Sequence, residues 1–131
     1  READLQVANL ARVDLRDANL ARANLCGANL ERASLADANL RVAKLCGASL
    51  CDANLRDANL HGANLSEANL SRADLSGADL RTARLVRADL TEANLTGARL
   101  SGADLRDAIL TGATWVDGQR ICRENSIGRC N

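Results

Sequence analysis

The chain has 131 residues, with 17 Lys+Arg against 17 Asp+Glu, one His, and no Phe, Tyr, Met or Pro. A nucleic-acid binder is expected to carry a basic excess and a protein that imitates DNA an acidic one; neither is present here. No apolar run is long enough for a membrane span, and with no initiator Met or secretory apolar segment the chain reads as one that starts inside its own repeat.

From Ala3 onward a five-residue unit, Ala-(Asn/Asp)-Leu-x-x, runs without a break, as in Ala8-Asn9-Leu10, Ala18-Asn19-Leu20 and Ala63-Asn64-Leu65. Leu, taken as position i, fills every fifth site from Leu5 to Leu110, and Trp115 takes the next. The residue two before it is Ala throughout, except Val13. Such a period is no helix: successive Leu would step by ~140° and never form a stripe. It is no long strand either, because side chains alternate faces with period two. A chain that turns a corner every five residues does bury the set, with i and i−2 inward and three positions outward. Four sides close a square coil of about 20 residues, and stacking puts Leu5, Leu25, Leu45, Leu65, Leu85 and Leu105 in one core column; Trp115, at the last Leu site of the repeat, falls two sides further round.

This pattern resembles the pentapeptide-repeat family. The resemblance implies an all-β fold, a right-handed quadrilateral β-helix of about five to six coils over residues 1–117. Residues 118–131 are then a C-terminal cap.

Position i−1 holds Asn in ten units, Asp in six, Ser in two and Thr in one, side chains that bond nearby backbone in turns. Asn19, Asn39 and Asn59 are placed to form a ladder; Lys44, Arg84, Arg99 and Ile109 depart from the rule. Gly falls at i+2 in seven units, which predicts type II corners there and another turn type where Asp, Arg or Val stands. Asp17, Asp37 and Asp57 form an acidic column that reads as solvated rather than calcium-binding. Arg12 and Arg32, with Asp52 before Arg72, and Arg41, His61 and Arg81 form mixed columns that read as solvated too. His61 is the only histidine, so the paired groups of metal and nucleophilic sites are missing. No catalytic residue, metal ligand or cofactor is expected.

Cys26, Cys46 and Cys51 all stand at i+1 and are expected to be free thiols, because parallel side chains in register make a Cys26–Cys46 bridge awkward. Residues 117–125 are expected to start a short helix, with Trp115, Ile121 and Ile127 covering the open end coil. The ending Thr-Gly-Ala-Thr-Trp-x-Asp-Gly followed by two Cys resembles the cap of short family members from cyanobacteria and the plant thylakoid lumen. That resemblance favours a Cys122–Cys130 disulfide, and with it a periplasmic or lumenal location; the alternative is cytoplasmic.

A filled interior and four flat walls point to a non-enzymatic interaction scaffold for a protein partner, with neither nucleic acid nor membrane as a partner. The uncapped N-terminal coil is a candidate homodimer edge. Two alternatives stand beside this reading. One is a DNA mimic that binds gyrase, as some members of the family do; the other is thiol-based redox or metal sensing through Cys26, Cys46 and Cys51.

Overall fold

One hydrogen-bond pattern recurs through the computed structural model, which describes residues 2–131; Arg1 of the expected repeat domain lies outside the described residues. From Leu5 to Leu95 each Leu amide donates to the i−1 carbonyl of the next coil, as from Leu45 N to Asn64 O at 2.8 Å. The i+2 amide donates in the same direction, from Gly47 N to Ser66 O at 3.0 Å, and the i−1 amide donates back, from Asn64 N to Ala43 O at 2.9 Å. Parallel bridges pair residues twenty apart from Asp4 with Asn24 up to Asn94 with Thr114. A corner every five residues and a register of twenty make four sides, so Leu45 stands directly under Leu65.

Each corner is closed by a bond across the turn, such as Ala48 N to Leu45 O at 3.0 Å. Its third residue has positive φ whatever its identity. The seven Gly lie at 64–73° and the fifteen others, among them Val7, Arg12, Asp17 and Val42, at 55–61°, so all 22 corners share the left-handed residue. The second turn type expected at Asp, Arg and Val does not occur. The reason is tertiary: the i+2 amide must point along the axis to reach the next coil, and only this corner aims it there. Fixing an L-residue in that region costs ~1–2 kcal/mol, which the ladder bond and the packing beneath each corner offset.

Inside, every Leu from Leu25 to Leu95 is 0–1 % exposed and the Ala set from Ala23 to Ala93 likewise, so two side-chain types fill the axis. At the N-terminal end Leu5, Leu10 and Leu15 are only partly buried, beside a depression lined by Glu2, Ala3, Asn19 and Leu20.

The cap contains no helix, contrary to expectation. Residues 118–131 double back as an antiparallel cover, with Ile121 bridged to Thr114 and Ile127 to Ile109. A helix would satisfy only its own backbone, whereas this segment completes the coil edge: Leu110 N donates to Ser126 O and Gly112 N to Cys122 O, both at 2.8 Å. Strand alternation then turns Cys122 and Ser126 inward, at 2 % and 0 % exposed, and throws Ile121 and Ile127 outward. Those two isoleucines therefore do not cover the end coil. Sγ of Cys122 is bonded to Sγ of Cys130, their Cα atoms 4.9 Å apart.

Candidate interaction surface

With i and i−2 buried, all remaining chemistry lies on four walls, each three outward residues wide. The first wall carries residues 2, 4 and 6 and every twentieth residue above them. The second starts from 7, 9 and 11, the third from 12, 14 and 16, and the fourth from 17, 19 and 21.

The middle column of each wall belongs to i−1, and there Asn and Asp do one job. Each of the ten Asn and six Asp accepts the amide of residue i+1 on its Oδ1, as Asn59 does from His61 N at 3.1 Å and Asp74 from Ser76 N at 3.0 Å. Asn39 also donates to Asn19 Oδ1 at 3.3 Å, one rung of the expected ladder. Ser34, Ser49 and Thr114 do not cap their corners; Ser49 Oγ turns instead to Glu31 Oε1 at 3.1 Å. Their hydroxyl sits one bond closer to the backbone than an amide or carboxylate oxygen and falls short of the amide.

Ion pairs knit the outer columns. Arg16, Arg81 and Arg106 each fold back bidentately on the Asp two residues earlier, as in Arg81 Nε to Asp79 Oδ1 at 2.8 Å and Nη2 to Oδ2 at 2.6 Å. The guanidinium bond, helped by the backbone amide, holds Asp14, Asp79 and Asp104 at about 2, well below an ordinary carboxylate. On the third wall Asp52 is the centre of a cluster. It takes Arg72 Nε at 2.8 Å and Nη2 at 3.0 Å, with Arg32 at 3.9 Å, and the Arg72 contact lowers its pKa. Arg72 Nη2 also reaches Cys51 Sγ at 3.1 Å. The sequence placed Arg32, Asp52 and Arg72 in one column but gave no sign that one arginine would hold both a carboxylate and a thiol.

Asp17, Asp37 and Asp57 stay exposed, and no group of three or more potential ligands able to hold a metal ion occurs among the described residues. In the Arg41, His61, Arg81 column, Arg81 is engaged by Asp79, and His61 Nδ1 is buried without a partner. Ser66 Oγ is likewise buried and unpaired, because Cys46 and Val86 stack below and above it in the same column.

The cysteines require a correction. Cys26 and Cys46 are bonded to each other rather than free, with Cα atoms 4.6 Å apart, and Cys51 is the one free thiol. The in-register Cα separation already lies within disulfide range, and rotation about the side-chain bonds suffices to join them without moving the ladder.

Comparison with known proteins places this geometry. The family model described as pentapeptide repeats matches in eight copies over residues 1–32, 8–45, 33–72 and 73–112. No curated protein matches the chain. Among solved structures it is similar to HetL, a pentapeptide repeat protein involved in heterocyst differentiation regulation from the cyanobacterium Nostoc sp. strain PCC 7120. There the identity is 42 % and the TM-score 0.50 over 92 % of this chain and 65 % of that one. It is also similar to a pentapeptide repeat protein of the cyanobacterium Cyanothece 51142, at 36 % identity and TM-score 0.56 over 74 % and 63 %. A third likeness is to one from the Arabidopsis thaliana thylakoid lumen, at 29 % identity and TM-score 0.55 over 92 % and 82 %. The chain spans just under two thirds of the length of the two cyanobacterial relatives. The winding shared with these solved structures is that of a right-handed β-helix.

Proposed function

The chain belongs to the pentapeptide-repeat family, and from that premise we propose that it is a non-catalytic scaffold that presents one of its outer walls to a protein partner. The observation that carries this reading is the filled axis. Leu and Ala of the central coils are shielded from solvent, so no substrate can enter, and the outward side chains stand in fixed columns ~4.8 Å apart. A surface of that rigidity loses little conformational entropy on binding, which favours recognition over chemistry.

The two disulfides support an oxidising compartment, a thylakoid lumen or a periplasm. Crosslinking mass spectrometry of the tethered chain in an extract of such a compartment tests the proposal. Crosslinks to one protein, confined to a single wall, are expected. Crosslinks spread evenly over all four walls, or none, refute it.

A further inference from the structure

The balanced total charge conceals an uneven distribution over the walls. Between residues 22 and 86 the first wall carries three cations, Arg22, Lys44 and Arg84, and no carboxylate. At the same height the second wall carries Glu31, Glu67 and Asp89 against Arg87 alone, while the third and fourth walls each carry three cations against three acids. Over this middle stretch the first wall is therefore the one electropositive side, bounded by Glu2 and Asp4 at one end and by Asp104 and Arg106 at the other, and the second, across a shared corner, is net acidic.

Two of these three cations are without an ion pair among the described residues: Arg22 lies 3.9 Å from Glu2 Oε1, whereas Lys44 and Arg84 have no such partner, although Arg84 stands one coil below Asp104 and helps to lower its pKa. Arg72, Arg81 and Arg87 of the other walls are bonded to Asp52, Asp79 and Glu67. Lys44 and Arg84 make no ion pair among the described residues, and neither does Arg41 on the adjoining corner; all three are exposed. Lys44 and Arg84 further occupy i−1, where Asn or Asp would accept a corner amide, so Cys46 N and Val86 N lack the side-chain acceptor found at sixteen other corners. They stand two coils apart in one column, ~10 Å at the spacing of paired strands. Between them lies a low neutral floor of Gly62, Asn64 and Ser66.

We propose that the first wall docks an acidic, extended segment of another protein, its carboxylates set against Lys44 and Arg84, with Arg22 and Arg41 at the margin. The assignment rests on the scaffold reading above and names its wall and the chemistry of its partner. A single extended chain fits within one wall. A nucleic-acid duplex is wider and brings its phosphates against Glu31, Glu67 and Asp89 next door, and like charges across an interface are strongly unfavourable.

The test uses a fluorescein-labelled peptide of alternating Glu and Ser, titrated by anisotropy against the oxidised chain, its K44N/R84N variant and an R32N/R56N control that removes two cations from the third wall. The new Asn residues supply corner acceptors, so K44N/R84N keeps the circular dichroism of the parent and melts no lower than it. Expected is binding that weakens about three- to tenfold in K44N/R84N and less than about twofold in the control, consistent with two exposed ion pairs, and that falls with salt. No binding, equal loss in both variants, or tighter binding of duplex DNA or phosphatidylglycerol vesicles overturns the proposal. A crosslinked natural partner that K44N/R84N still retains overturns this wall assignment and leaves the scaffold reading standing. Peptide binding that shifts as expected, with no natural partner captured on any wall, sinks the scaffold reading alone.

Discussion

Leu65→Ala probes the central physical premise, that the stack is held by side chains with nowhere to collapse. Leu65 is fully buried, with Leu45 below and Leu85 above. Its backbone is pinned on both sides, by Leu65 N to Arg84 O at 2.7 Å and Asn64 N to Ala43 O at 2.9 Å. Removing the isobutyl group forfeits its transfer free energy and leaves a cavity that the ladder prevents from closing, which places the cost in the upper part of the ~2–5 kcal/mol range for Leu→Ala, about 4 kcal/mol. The neighbouring Ser66→Ala is the control. Its Oγ is buried without a partner, so deletion removes an unsatisfied group and is expected to be neutral or to stabilise by up to ~1 kcal/mol. Urea unfolding followed by far-ultraviolet circular dichroism measures both. A Leu65→Ala loss below ~1 kcal/mol, or equal losses at the two sites, would show that the interior is not packed as described.

At Val42, a β-branched residue held at φ 59°, substitution by Gly is expected to stabilise by ~0.5–1 kcal/mol in the same assay, because Gly adopts this conformation without steric cost; a loss of more than ~1 kcal/mol would mean that side-chain packing outweighs backbone strain. Asp14, Asp79 and Asp104 have folded-state pKa values of about 2 against the usual 3.8, so their contribution is fully present above about pH 4 and is lost as pH falls toward 2. Melting temperature should be flat from pH 7 to about 5 and decline only within that acid window, with a smaller decline in Arg81→Gln; a decline beginning near pH 6 contradicts this. In graded dithiothreitol, Cys26 and Cys46, both partly exposed, should be alkylated well before Cys122, which is 2 % exposed; mass spectrometry that finds the cap bridge opening first reverses the assignment of which bridge is structural.

The repeat made the core legible before any coordinates: a period of five with Leu at i and Ala at i−2 admits little besides a square coil, and the register of twenty followed from it. What stayed hidden was set by the coil rather than by the residue. Val42 and Arg72 take a left-handed corner that their own propensities disfavour, because the axial bond of the i+2 amide outweighs local preference. The cap reads as helical in sequence because its local pattern contains no apolar alternation; only the coil edge at Leu110 and Gly112, whose amides Ser126 O and Cys122 O accept, calls for an extended segment. The Cys26–Cys46 bridge lies within the register of twenty; the parallel direction of the two side chains argues against it, and rotation of the sulfurs overcomes that. The electropositive stretch of the first wall is also legible in the sequence once outward residues are sorted by wall instead of summed over the whole chain.

The outward positions are not equally free to carry recognition, and that inequality is itself testable. Position i+2 is constrained by its positive φ, and i−1 by the corner amide that Asn or Asp satisfies at sixteen of its sites. A cation at i−1 gives up that bond, so Lys44→Asn and Arg84→Asn should each stabilise by about 0.5–1.5 kcal/mol, the net worth of one hydrogen bond. The reverse change, Asn64→Lys in the same column, removes the acceptor now serving Ser66 N at 3.1 Å and should cost about as much. Urea titrations of the three single variants supply the comparison. If Lys44→Asn and Arg84→Asn destabilise, the two cations belong to the stability of the coil itself; if they stabilise, the charge at these corners is held against the preference of the fold, and its use lies in what meets the wall.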